Sequence, residues 1–224
     1  MKEIISFLRE LKQHNDRAWF NAHKEHYLYV QTKFHCFVDE LINEISRFDS
    51  SVAGLTAKEC TYRIYRDVRF SSDKSPYKTH MGAFINPGGK KSGFAGYYFH
   101  VGTGGEGYPD SHMLATGDYC CSPEALRILR EDIAYGQGDF EETLKQAAPH
   151  FCLDRESSLK RNPKGFPDNT PYEEYIRLKN FCLCHMPNQS FLLADDLPRR
   201  VAELFRTTQP FLQYINRGIA YSRE

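Results

Sequence analysis

The chain lacks most of the features that assign a protein of this size to a class on sight. It has no net charge, with 29 Lys+Arg balanced by 29 Asp+Glu in 224 residues. A globally basic nucleic-acid coat and an acidic tail protein are therefore excluded, although a local patch is not. No apolar run approaches the 18 or so residues that a membrane helix requires. The N-terminus mixes charges of both signs from its first turns, where a signal peptide would carry an unbroken apolar stretch. Seven cysteines, an odd number with adjacent and near-adjacent spacings, do not form a secreted disulfide framework. A cytoplasmic home with free thiols and no membrane partner is expected. Tryptophan occurs once, at Trp19. There is no internal repeat and no low-complexity segment.

The common catalytic signatures are missing as well. The chain has no phosphate loop of the G-x-x-x-x-G-K-[ST] kind, no G-x-S-x-G elbow and no H-E-x-x-H. Gly102 to Gly107 matches G-x-G-x-x-G. The stretch after it is interrupted by Pro109 and Gly117 and reads as extended, so no helix N-terminus is available to hold a pyrophosphate. Cys182 and Cys184, with His185, resemble half a zinc site that has no second half, and buried structural thiols are the better reading. His23 and His26 lack a third ligand, and His100 and His112, which flank the glycine loop, suit cross-strand packing ahead of a metal or proton-transfer role. No metal and no cofactor is assigned.

What is present is periodicity. Ile4, Phe7, Leu8 and Leu11 mark a short amphipathic helix. Asn15 is placed as the N-cap of a second, longer helix whose apolar positions run through Tyr27, Val30, Phe34, Phe37, Leu41 and Ile45. From Cys60 the period changes to two, predicting strands over 60–70, 78–86, 94–101 and about 112–119. Helices are expected over 123–135 and 140–147, a strand over 177–186, and a closing helix over 197–219 bent at Pro210. Helices, then strands, then helices predict an α+β fold: a single domain with a largely antiparallel sheet packed against N- and C-terminal helices.

One segment departs from the even charge balance. From Lys58 to Lys91 there are eight Lys/Arg and three Asp/Glu. Strand alternation groups Arg63, Tyr65, Asp67 and Arg69 on one face, with Arg66 among apolar neighbours and Asp73 as its nearest carboxylate. Two guanidinium forks beside tyrosine hydroxyls suit a phosphate or carboxylate, and Lys74, Tyr77 and Lys78 follow the turn. Lys164, in the basic loop 159–167, could close over the same anion.

Three readings remain open at this point. The segment holds an anionic small ligand, with Asp67 or Asp73 orienting the cations. Alternatively it serves as a nucleic-acid-associated module with Tyr62, Tyr65 and Tyr77 as stacking platforms, against which the neutral total charge weighs. In the third, it is a structural ion-pair network within a scaffold.

Four stretches together resemble a known family. They are Asn15-Asp-Arg-Ala-Trp-Phe20 with Lys24, the run from Arg63 to His80, Gly96-Tyr-Tyr98, and Leu159-Lys-Arg-Asn-Pro-Lys-Gly-Phe166. The chain resembles, from about Ile4 to Phe211, the family catalogued as domain of unknown function 2461. The resemblance implies a single cytosolic domain and implies no activity.

Overall fold

In the computed structural model, residues 1–136 and 139–224 are described. They form an α+β fold whose five strands, β1 (Met81–Ile85), β2 (Gly96–Val101), β3 (Met113–Asp118), β4 (Cys152–Leu153) and β5 (Phe181–His185), make one antiparallel sheet in the order β1-β2-β3-β5-β4, and whose helices include the four-residue α4 (Ala57–Cys60), α7 (Glu173–Ile176) and α8 (Gln189–Leu192). The chain divides into two compact units. One comprises Met1–Ser92, Tyr98–Leu114 and Met186–Ala202, and the other Gly93–Tyr97, Ala115–His185 and Glu203–Glu224.

The first unit is built on helix packing. Helix α1 (Lys2–Gln13) buries Ile4, Phe7, Leu8 and Leu11, the predicted face. The expected long helix is broken in two, α2 (Arg17–Ala22) and α3 (Lys24–Ser46), with His23 ending one and starting the other. The N-cap is Asp16, not Asn15: its carboxylate accepts from the Trp19 amide. Asn15 has a different task, donating to the Tyr77 carbonyl and accepting from the Tyr77 amide at 3.0 and 3.1 Å. The inward face of α3 is as expected, and its Phe34 and Phe37 meet Phe99 of strand β2 (Gly96–Val101), the nearer ring centroid 4.5 Å away.

The strand expected over 60–70 does not form. Thr61 bridges Ala83 of β1 (Met81–Ile85), Tyr65 bridges Tyr77, and the rest is irregular. The cause is local. Asp67 accepts from the Arg69 amide, and Asp73 from the Ser75 amide and hydroxyl. Such side-chain-to-backbone bonds compete with a ladder and curl the chain. Phe70, placed on the buried face by alternation, is 96% exposed.

In the second unit, α5 (Pro123–Tyr135) starts as predicted, Ser122 capping the Ala125 amide ahead of Pro123. Phe140 of α6 (Asp139–Ala147) lies at the centre of an aromatic cluster with Phe181, Phe211 and Tyr214. Strand β4 (Cys152–Leu153) pairs antiparallel with β5 (Phe181–His185). The predicted closing helix is two helices, α9 (Leu197–Arg206) and α10 (Gln209–Tyr221). Thr207 and Thr208 turn their hydroxyls back onto the Leu204 and Phe205 carbonyls, and Pro210, which has no amide to donate, sits in the first turn of α10. Among the described residues no helix is long and apolar enough to cross a membrane.

Candidate functional site

The charged segment folds into a loop held by its own ion pairs. Arg66 forms a salt bridge with Asp73 and donates to the Ser75 carbonyl. Arg69 clamps Asp67 with two hydrogen bonds of 2.7 and 3.0 Å. Lys74 donates its ammonium to the Val68 carbonyl at 3.0 Å. The Ser75 hydrogen bonds, with Arg66 beside them, hold the Asp73 carboxyl down to about 2, and the Arg69 hydrogen bonds lower Asp67. Both carboxylates are ionised at neutral pH, so two of the three arginines are neutralised within the loop.

The remaining predicted residues fall in three places. Arg63 is exposed and makes no hydrogen bond or ion pair among the described residues. Lys78 lies 5.6 Å from the centroid of the Tyr62 ring, and burial, followed by the nearby Arg63 charge, lowers its pKa. Lys164 is in the second unit, on the exposed loop between Ser158 and Tyr172. Tyr65 and Tyr77 do come together, their ring centroids 5.5 Å apart.

Those two tyrosines line an open cleft of about 330 Å³, with Arg17, Asn21 and Arg66 around them. Its floor is rigid. Tyr77, 5% exposed, stacks on Phe20 at 3.9 Å, and Asn15 fixes its backbone from both sides. Tyr65 also meets the edge of Phe20, and its hydroxyl accepts from Lys24 at 3.3 Å. Arg17 is exposed and has no hydrogen bond or ion pair among the described residues. No carboxylate lines the cleft. It can therefore offer a guanidinium fork, an amide and a hydroxyl to an anion, over an aromatic surface.

Sequence reasoning placed neither Arg17 nor Asn21 here. The available signal was that the segment 15–20, one of the four quoted for the resemblance, carries Arg17; nothing in the spacing tied it to Tyr65 and Tyr77.

A second polar cluster in the first unit gathers around His100, which the sequence reading paired with His112 and not with His80. His80 stacks on His100 with centroids 4.6 Å apart, and Tyr108 lies against both rings. His100 is fully buried. Its Nε2 faces the Pro109 carbonyl at 2.9 Å, which can only accept, so the proton resides there. Its Nδ1 then accepts from the Tyr98 hydroxyl at 3.1 Å. Burial pushes His80 down to about 3, with His100, Lys78 and Arg66 adding to the effect, and His100 down to about 4. The buried Nδ1 of His80 and both ring nitrogens of His112 have no partner. The stack is neutral at neutral pH and resists taking up a proton. Among the described residues no three His, Cys, Asp or Glu side chains are grouped so as to hold a metal ion.

The model of the family described as "Conserved hypothetical protein (DUF2461)" matches residues 3–214, and the chain belongs to that family. Neither a curated protein nor a solved structure gives a significant match.

Proposed function

We propose that this DUF2461 protein binds a small anionic molecule, carrying a phosphate or carboxylate, in the cleft between Arg17 and Tyr77. The observation that carries the reading is the lining itself: two arginines, a tyrosine hydroxyl and an amide converge on a carboxylate-free cleft above the Phe20–Tyr77 stack. Arg66 is already engaged by Asp73, so it supplies a wall, while the unengaged Arg17 supplies the fork. In this reading Tyr65 and Tyr77 line the ligand, Asp67 and Asp73 set the loop, and Arg69 and Lys74 shape it from within. Arg63 and Lys78 add positive potential.

Thermal unfolding with phosphate, sulfate, nucleotides, sugar phosphates and short oligonucleotides tests the reading. A ligand at a hundred times its dissociation constant stabilises the fold by about 2.7 kcal/mol, a midpoint shift that is easily seen. Arg17→Ala, which removes no internal hydrogen bond or ion pair, should abolish the shift and leave the unliganded midpoint in place. The proposal is wrong if no anion raises the midpoint, or if Arg17→Ala responds like the parent.

A second reading has one observation in its favour. Tyr62 and Phe70 are exposed rings accompanied by cations, Lys78 at 5.6 Å and Arg69 at 5.8 Å from their centroids. Exposed aromatics interleaved with cations suit single-stranded nucleic acid. In that case the oligonucleotides would give the shift, and binding would weaken steeply as salt rises.

A further inference from the structure

The seven cysteines are all free thiols, and the register of strands β4 and β5 sets two of them directly opposite one another: Cys152 pairs with Cys184, and Leu153 with Leu183. The next rung fixes the type of each position. The Asp154 amide donates to the Cys182 carbonyl at 2.8 Å, so Asp154 and Cys182 occupy a hydrogen-bonded position of the ladder. Such pairs alternate along an antiparallel ladder, which makes Cys152 and Cys184 a hydrogen-bonded pair as well, with Cα atoms about 5.5 Å apart. Disulfides are found most often at Cα separations of about 5.5–6 Å. Opposed residues on a ladder also project their side chains to the same side of the sheet.

From this juxtaposition we infer that Cys152 and Cys184 are a redox modification site, closed to a cross-strand disulfide by low-molecular-weight disulfides. The accessibilities suit a two-step exchange. Cys152 is exposed and lies on an edge strand, whereas Cys184 is half-buried. Burial, with Asp154 and Glu156 nearby, holds the Cys184 thiol up to about 11, so the first attack falls to Cys152.

The Cys152 thiol loses its proton to solvent, and the thiolate attacks one sulfur of an oxidised disulfide such as glutathione disulfide. One glutathione thiolate leaves and is protonated, and a mixed disulfide remains on Cys152. Cys184 then loses its proton and attacks the Cys152 sulfur, which expels the second glutathione as a thiol. Two protein thiols have given up two electrons and the added disulfide has taken them. The bridge closes a covalent loop around residues 153–183. It fastens the two-residue strand β4 to β5 and encloses the segment bearing Lys160, Arg161 and Lys164.

The test is intact mass and peptide mapping of the full chain after incubation with excess oxidised glutathione and quenching by alkylation. The expected product is lighter than the reduced protein by about 2 Da, before any label at other thiols, and loses two alkylation sites. Trypsin should release residues 146–155 joined to residues 180–199. The second peptide also contains Cys182, so variants decide the partner. Cys184→Ser should stop at the glutathione adduct on Cys152, and Cys182→Ser should bridge as the parent does. The inference is overturned if the parent accumulates the adduct without bridging, if both cysteines remain fully alkylatable, or if Cys182→Ser and not Cys184→Ser prevents the bridge. Fragmentation of the parent's cross-linked peptide between residues 182 and 184 places the bond even where a variant fails to fold.

Discussion

The stacked histidines make acid stability a quantitative test of the first unit's interior. His80 and His100 are held neutral in the fold, at about 3 and about 4, against an ordinary value of 6.5. For a base whose pKa is lowered on folding, the stabilising form is the neutral one. Its advantage is complete above the unfolded pKa and is lost as pH falls from 6.5 toward the folded values, because the unfolded chain takes up protons that the fold refuses. At about pH 4.5 each histidine is charged in the unfolded chain and largely neutral in the fold, and each costs roughly 2.5 kcal/mol relative to neutral pH. The pair together removes about 5 kcal/mol, a large part of the 5–15 kcal/mol that a domain typically has. The groups facing the pair do not cancel this. Lys78 and Arg66 oppose a charge on His80 and His112 opposes one on His100, while Asp110 favours one on His80 and the Pro109 carbonyl one on His100, neither enough to offset burial.

The perturbation is His80→Phe. Phenylalanine keeps a ring against His100, removes one titrating group and removes the unpartnered buried Nδ1. Urea unfolding followed by far-ultraviolet circular dichroism, repeated in steps from neutral pH to about pH 4.5, gives the free energy at each pH. Carboxylates contribute equally to both proteins, so the difference between the curves isolates the histidine. The parent should lose about 1.4 kcal/mol more per pH unit than the variant within the window. At neutral pH the variant should be as stable as the parent or slightly more so. Parallel curves would refute the reasoning, since they would mean that His80 is charged in the fold or hydrated well enough to titrate as in the unfolded chain.

Two further substitutions probe how the fold is set. Asn15→Asp replaces the amide that donates to the Tyr77 carbonyl with a carboxylate that cannot donate; it should cost about 1–3 kcal/mol in urea unfolding, whereas a surface asparagine would change little. Gly117→Ala should be far worse, costing above about 3 kcal/mol and seen as lost soluble yield and a lowered thermal midpoint, because Gly117 has φ +137° and a Cβ there would collide with the Phe181 carbonyl oxygen.

Periodicity located most of the elements because it reports burial of one face, and burial is what these elements share. The apolar positions of α1 and α3 are the buried ones, and Pro123 opens α5 where expected. It failed where short-range hydrogen bonding overrides the pattern. The alternation from Tyr62 to Phe70 is real in the sequence, but Asp67 and Asp73 bond to amides two residues on and turn the chain. His23 and the Thr207–Thr208 pair divide helices whose apolar spacing continues across the break, and spacing alone does not register a change of axis. The histidine stack was invisible for a different reason. His80, His100 and His112 are separated by 20 and 12 residues, and only the pairing of their strands and loops brings them together.

The charged segment shows how a cluster of cations should be discounted before it is taken for a site. An arginine within a few residues of an aspartate in an irregular loop finds that aspartate first, as Arg69 does Asp67 and Arg66 does Asp73. Such pairs are exposed and contribute little to stability, but they remove the very forks that an incoming phosphate would use. Arg17 also follows an aspartate, yet Asp16 spends its carboxylate on the Trp19 amide at the start of α2, and the Arg17 guanidinium is left open. Within the cleft, the arginine left open to a ligand is thus Arg17, whose neighbouring carboxylate caps a backbone amide and pairs no arginine. On that ground the centre of the proposed site moves from the arginine-rich strand that alternation predicted to Arg17, at the start of the short helix that shares the cleft with Tyr65 and Tyr77.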